Sequence, residues 1–123
     1  MASRLLIVED EDTLSASVQR VLAREGYVVD IAGSSESALQ LLGTSSYDLV
    51  ISDIILPGLS GIDLLKSFRN RKPGQKVIIM TASGSREAAI EAVDAGACDF
   101  LLKPIMHDEL KEAIRNALAL RSC

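Results

Sequence analysis

The sequence is short of cysteine, of basic charge and of long apolar runs, and each shortage excludes something. Its two cysteines, Cys98 and Cys123, match no disulfide or zinc-binding spacing. They read as incidental, and a reducing cytoplasm is the default compartment. No apolar stretch approaches the length of a signal-peptide core or a membrane span, so no membrane association is expected. The formal charge is −4 at pH 7, whereas a domain that binds nucleic acid directly is normally basic. No linker, repeat or low-complexity tract interrupts the chain, so residues 1–123 read as one domain with a core from about 4 to 120. What is present is 48% hydrophobic and 24% charged, the balance of a soluble globular protein. A chain of this length buries roughly two thirds of its unfolded surface and needs no staples.

Strand and helix patterns alternate five times along the chain. The apolar run Leu5 to Val8 stops at Glu9-Asp10-Glu11-Asp12, and Asp12 is positioned to cap a helix carrying Leu14, Val18, Val21 and Leu22. Gly26 ends that helix, and Tyr27 to Ile31 forms a second strand whose Asp30 suggests a sheet edge. Ser34 or Ser35 opens a second helix through Leu42, with Gly43 as its stop. Asp48 to Asp53 is a buried strand ending on a carboxylate, followed by a Pro57-Gly58 turn. Ser60, with Asp63 three residues on, gives a capping box for a helix bearing Ile62, Leu65 and Phe68. Val77 to Met80 ends at Thr81, Ala88 to Ala95 is a small-residue helix stopped by Gly96, and Asp99 to Leu102 is the fifth strand. A last amphipathic helix carries Leu110, Ile114, Ala117 and Leu118, with Met106 where a capping acceptor is expected. Such alternation implies an α/β fold: a doubly wound, five-stranded parallel sheet with helices on both faces.

Parallel strands open their carboxyl ends onto one crevice, where α/β sheets bind ligands. The first ends at Glu9-Asp10, the third at Asp53, the fourth at Thr81 and the fifth at Lys103. In the flavodoxin-like order 2-1-3-4-5, the first and third strands flank the switch point. Glu9, Asp10 and Asp53 bring about three negative charges and Lys103 returns one, so the carboxylates repel unless a cation joins them. Hard oxygen donors with room for water suit Mg²⁺. Asp53, half exposed on the most rigid part of the fold, reads as a nucleophile that becomes phosphorylated. A phosphoryl group there would leave an excess of roughly −2, met by the Thr81 hydroxyl, the N–H groups of the loop after it and the Lys103 ammonium.

With Leu56-Pro57-Gly58 behind Asp53, and Thr81-Ala82, Gly96-Ala97 and Lys103-Pro104 following in order, the chain resembles a bacterial response-regulator receiver domain from about Arg4 to about Leu120. The resemblance implies a phosphoacceptor role for Asp53, with a histidine kinase or phosphotransfer protein as donor. His107, the single histidine, stands at the start of the last helix and offers no donor of its own. The resemblance also implies Mg²⁺ held by Asp10, by Glu9 through water, by Asp53 and by the backbone carbonyl of Ile55. Phosphoryl-binding groups are Thr81, the Ala82 N–H and Lys103, and the Lys103–Pro104 bond is implied to be cis. In the family, Thr81 moves toward the phosphoryl group and the aromatic at position 100 turns inward. Here that aromatic is Phe100, which reads equally as plain core. The face of the fourth helix, fifth strand and fifth helix then signals to an effector domain or protein, and homodimerisation is left open. No enzyme activity is implied beyond the domain's own phosphoryl transfer and dephosphorylation.

Ile55 and Ser83 line the site entrance in the family's geometry. An apolar Ile55 cannot position an attacking water, so the phosphoryl state is expected not to be unusually short-lived. The rival readings have less support. A haloacid-dehalogenase-type phosphatase wants a second aspartate where Ile55 stands, and a nucleotide-binding flavodoxin-like protein wants a glycine-rich loop after the first strand. A phosphorylation-independent pseudo-receiver usually lacks an acid or the lysine, and this chain has them all.

Overall fold

The computed structural model describes residues 2–82 and 84–123. Its elements run β1 (Arg4–Val8), α1 (Asp12–Arg24), β2 (Val28–Ala32), α2 (Ser35–Thr44), β3 (Leu49–Asp53), α3 (Gly61–Arg71), β4 (Val77–Thr81), α4 (Arg86–Asp94), β5 (Asp99–Leu102) and α5 (His107–Ala119). The strands form one five-stranded sheet in the order β2-β1-β3-β4-β5, and each neighbouring pair is parallel. The doubly wound arrangement expected from the alternation is therefore the one observed.

Period-two alternation sends successive strand residues to opposite faces. Leu5, Ile7, Leu49, Ile51 and Ile78 pack with Val18 and Leu22 of α1 and Leu110 and Ile114 of α5. Leu6, Val8, Val50, Val77 and Ile79 pack on the other face with α2 and α4 and with Ile62, Leu65 and Phe68 of α3. β3 and β4 are buried at every position, because helices cover them on both sides. Each such Leu or Ile contributes about 1.5–3 kcal/mol by leaving water, which makes these strands a rigid platform for whatever their ends carry.

Helix ends follow the serine signals more closely than the acid or glycine ones. Ser34, Ser60 and Ser85 cap α2, α3 and α4 by accepting the N–H of Ser37, Asp63 and Ala88. Asp12 is not a cap. It is the first helical residue of α1, and Glu11 before it makes no side-chain capping bond. There the carboxylate acts only through the positive end of the helix dipole. Gly43 does not stop α2, which runs on to Thr44. Gly26 and Gly96 do terminate their helices, at φ +93° and +100°, because the chain needs the left-handed region there. After α2 it leaves through Ser45 in an extended conformation instead. α4 starts at Arg86, earlier than its small-residue run suggested. Met106 stands at the head of α5 without a capping bond.

The cysteines are not incidental. Cys98 and Cys123 form a disulfide across a sequence separation of 25 residues, with their Cα atoms 4.7 Å apart. Sequence spacing could not show this. The pairing arises because the chain after α5 returns to the edge where β5 begins, a proximity set by the sheet. Lys76 reinforces the same corner by donating to the carbonyl oxygens of Ala117, Leu118 and Leu120 at the end of α5. Reduction is expected to lower the unfolding free energy by about 2–4 kcal/mol, the usual effect of opening such a loop. Denaturant melts with and without dithiothreitol measure it, and coincident curves would show that the pair is not bridged in solution.

Candidate functional site

Four strand ends deliver the reactive groups. The register pairs Val8 with Ser52 and Asp53 with Met80, so Glu9 emerges beside Asp53. Thr81 pairs with Leu102, and the Lys103 N–H donates to the Thr81 carbonyl at 2.8 Å, which fixes where the lysine side chain starts. Lys103 Nζ then donates to Asp53 Oδ2 at 2.7 Å and to both Glu9 carboxylate oxygens at 3.0 and 3.1 Å. Glu9 is 1% exposed and Asp53 8%, whereas Asp10 is exposed. The remaining Asp53 oxygen, Oδ1, accepts the Ile55 N–H at 3.1 Å.

Electrostatics follow from this crowding. Burial, and then the neighbouring Asp53 carboxylate, push Glu9 up from 4.5 to about 7, even though Lys103 pulls it back down. Burial works against the Lys103 ammonium, but its bonds to Asp53 and Glu9 outweigh that and raise it. One lysine is shared by two buried acids, with a third acid at the rim. The cluster is short of positive charge.

The donor set fits a hard cation. Glu9, Asp10 and Asp53 can each present a carboxylate oxygen with all three within 4.8 Å of one another, and all-oxygen sets of this kind suit Mg²⁺. Ile55, whose carbonyl the resemblance adds to the set, is held near Asp53 by its own N–H.

The other predicted residues are placed as follows. Thr81 is fully buried at the end of β4, and Ala82 next to it is exposed. Ser83 lies outside the described residues. The Lys103–Pro104 peptide bond is cis. Phe100 is half-buried, opposite Ile79, and packs against the cluster beneath α2, α3 and α4. Ile55 is 63% exposed at the mouth. Beside Lys103, an apolar groove of about 380 Å³ is lined in part by Leu14, Met80, Ile105 and Leu110.

Two backbone features hold the loop after β3. A Cβ on Gly61 would overlap the Asp53 carbonyl oxygen and Ile54 Cα, so only glycine lets α3 start this close to the strand end. Its N–H donates to the Ile54 carbonyl at 2.7 Å. The second feature is Ser35, which bonds to the loop at Pro57 and Leu59. Sequence reading saw Ser35 only as a helix opener. The available signal was a doubled serine where one suffices to cap.

Comparison with known proteins decides the family. The sequence matches the response regulator receiver domain family over residues 5–115. The chain belongs to this family. Among curated relatives of the receiver domain, the two-component response regulator PhoP of Pseudomonas aeruginosa is 39% identical over 119 residues, covering 97% of this chain and 52% of PhoP. The chain thus spans about half the length of that relative. Among solved structures, a CheY-like receiver domain protein from Methanospirillum hungatei superposes with TM-score 0.94 at 31% identity, covering 98% of this chain and 97% of that one. TrrA of Thermotoga maritima, in complex with Mg(2+)-BeF, gives TM-score 0.85 at 34% identity, covering 94% and 98%. Among the described residues of the receiver domain, no helix is long and apolar enough to cross a membrane.

Proposed function

We propose that this receiver domain signals by accepting a phosphoryl group on Asp53 from a histidine kinase or phosphotransfer protein, with Mg²⁺ as cofactor. The observation that carries the reading is the Asp53 carboxylate, fixed at a buried strand end by Lys103 inside an acidic cluster. An Asp53 carboxylate oxygen attacks the phosphorus of the donor's phosphoimidazole. A P–O bond forms, the P–N bond breaks, and the imidazole leaves with the bonding electron pair. Little covalent chemistry is asked of the protein, so positioning and charge neutralisation dominate. Asp53 loses its own charge and gains roughly −2. Lys103, already 2.7 Å from Asp53 Oδ2, remains as the fixed counter-charge. The Thr81 hydroxyl and the Ala82 N–H supply further donors. Mg²⁺, held by Glu9, Asp10, Asp53 and the Ile55 carbonyl, would supply neutralisation of the transferring oxygens. The cation in the TrrA complex supports this assignment.

The output surface is the α4–β5–α5 face. Val93 of α4 and Leu102 of β5 are exposed at 59% and 55%, and exposed apolar groups of this kind suit a protein partner. That partner is an effector domain or protein, or a second copy of the domain. Movement of Thr81 toward the phosphoryl group and inward repacking of Phe100 couple the site to this face. The groove beside Lys103 offers the phosphodonor an apolar rim. The domain acts in the cytoplasm, where such kinases deliver phosphate and where the Cys98–Cys123 pair would stand reduced, and turns over no substrate beyond its own phosphoryl group.

Intact mass after incubation with acetyl phosphate tests the reading. One phosphoryl adduct is expected with Mg²⁺ and none without it. Absence of any adduct with Mg²⁺ present would point instead to a phosphorylation-independent interaction module. The Glu9 proton gives a second check. A ligand must lose its proton to bind a cation, and Glu9 holds its proton up to about pH 7. The Mg²⁺ concentration for half-maximal phosphorylation is therefore expected to fall as pH rises from 5 to 7, then level off. A flat profile would contradict the role given to Glu9.

A further inference from the structure

We propose that Ser35, on α2, is a positioning residue for the phosphoryl site, acting through the β3–α3 loop. Its side chain is 2% exposed, and the helix does not need it as a cap, because Ser34 fills that role. Its hydroxyl instead spans the Pro57-Gly58 turn. Oγ donates to the Pro57 carbonyl at 3.0 Å and accepts the Leu59 N–H at 2.8 Å. The Ser35 backbone N–H, one of the donors that a helix start leaves without an intrahelical partner, adds a bond to the same Pro57 carbonyl at 3.3 Å. α2 thereby grips both sides of Gly58.

Gly58 has φ +90°, and a Cβ there would lie 2.5 Å from Ser35 Oγ, so the turn is shaped to admit the hydroxyl. On its inner side the loop is tied to the strand platform by the Ile54 N–H on the Met80 carbonyl and the Gly61 N–H on the Ile54 carbonyl. Between these ties and Ser35 lies Ile55, joined to Asp53 only through its N–H on Oδ1. Removing the hydroxyl leaves α2 holding the outer end of the loop through the Ser35 N–H alone, so more of the ordering of the Ile55 carbonyl falls to the cation. This inference rests on the reading of Asp53 and Ile55 given above.

The test titrates Mg²⁺ into ¹⁵N-labelled wild-type, Ser35→Ala and Ser35→Thr proteins, following backbone amide shifts, with acetyl phosphate rates by intact mass in parallel. Ser35→Ala is expected to raise the Mg²⁺ midpoint by about tenfold while keeping the rate at saturating Mg²⁺ within about twofold, as loss of a supporting contact behind a metal ligand does. Ser35→Thr, which keeps the hydroxyl, is expected to return the midpoint toward wild type. A purely structural serine would lower the melting temperature and leave the midpoint alone. An unshifted midpoint in folded Ser35→Ala, or Ser35→Thr no better than Ser35→Ala, overturns the proposal. Failure of the wild type itself to bind Mg²⁺ or gain an adduct would instead remove the reading beneath it.

Discussion

Asp53→Asn is expected to take up no phosphoryl group from any donor, at any Mg²⁺ concentration. The loss is complete rather than graded because, in the proposed reaction, the carboxylate oxygen is the atom that forms the bond. Asparagine has the same shape, can still accept the Ile55 N–H that now reaches Oδ1, and leaves Lys103 paired with Glu9 through two bonds. The fold is therefore retained. Metal-free stability is expected to rise slightly, since one of two buried acids sharing a single lysine has been removed. Intact mass and a denaturant melt on the same preparation check both halves. An adduct of wild-type yield on Asp53→Asn would place the chemistry elsewhere. A large loss of stability would show that the Asp53–Lys103 bond holds the fold together.

Lys103→Met is expected to give the largest stability change of any substitution at the site, with a definite pH dependence. It leaves Glu9 and Asp53 buried beside each other with no cation, and breaking a buried ion pair by removing one partner is strongly destabilising. Glu9 can escape by holding a proton, which limits the loss. Glu9 already stands at about 7 in the wild type with Lys103 pulling it down, so removing the lysine raises it further. The sign follows from linkage. Glu9 in the folded protein holds its proton more tightly than in the unfolded chain, so the native state binds more protons between pH 4.5 and its raised value. Both proteins therefore lose stability as pH rises above 4.5, the wild type until Glu9 ionises at about pH 7 and the variant beyond it, so the gap between them widens above pH 7. The variant is expected to lie nearer to wild type at pH 5 than at pH 8, with millimolar Mg²⁺ recovering part of the difference. Urea melts at the two pH values measure this. An equal deficit at both would mean that Glu9 does not carry the pH dependence.

The parts of this account legible in the sequence are those where local chemistry and tertiary position agree. β3 and β4 read as continuous apolar runs because both faces are covered, and their terminal Asp53 and Thr81 mark the crevice without any alignment. Gly26 and Gly96 were readable because a left-handed turn leaves glycine as the natural choice. Gly43 was misleading, since the same residue is tolerated inside a helix at a cost of about 1 kcal/mol when packing on either side continues. Asp12 failed as a cap because the chain enters α1 one residue earlier. The Cys98–Cys123 bridge and the Ser35 clasp were illegible for a common reason. Both join segments far apart in sequence, and nothing local announces either partner. Glu9 was visible as an acid but not as a nearly inaccessible one bonded to Lys103, since its burial depends on the neighbouring strands.

The proposed signal is carried by a single side chain, so locating the phosphoryl group tests it. Wild-type protein phosphorylated with acetyl phosphate and Mg²⁺ is reduced with borohydride, which converts an aspartyl phosphate to homoserine, and is then digested and mapped by mass spectrometry. One modified residue is expected, at position 53, absent when Mg²⁺ is withheld. Modification at Asp10, Glu9 or any other carboxylate, with Asp53 unchanged, would contradict it.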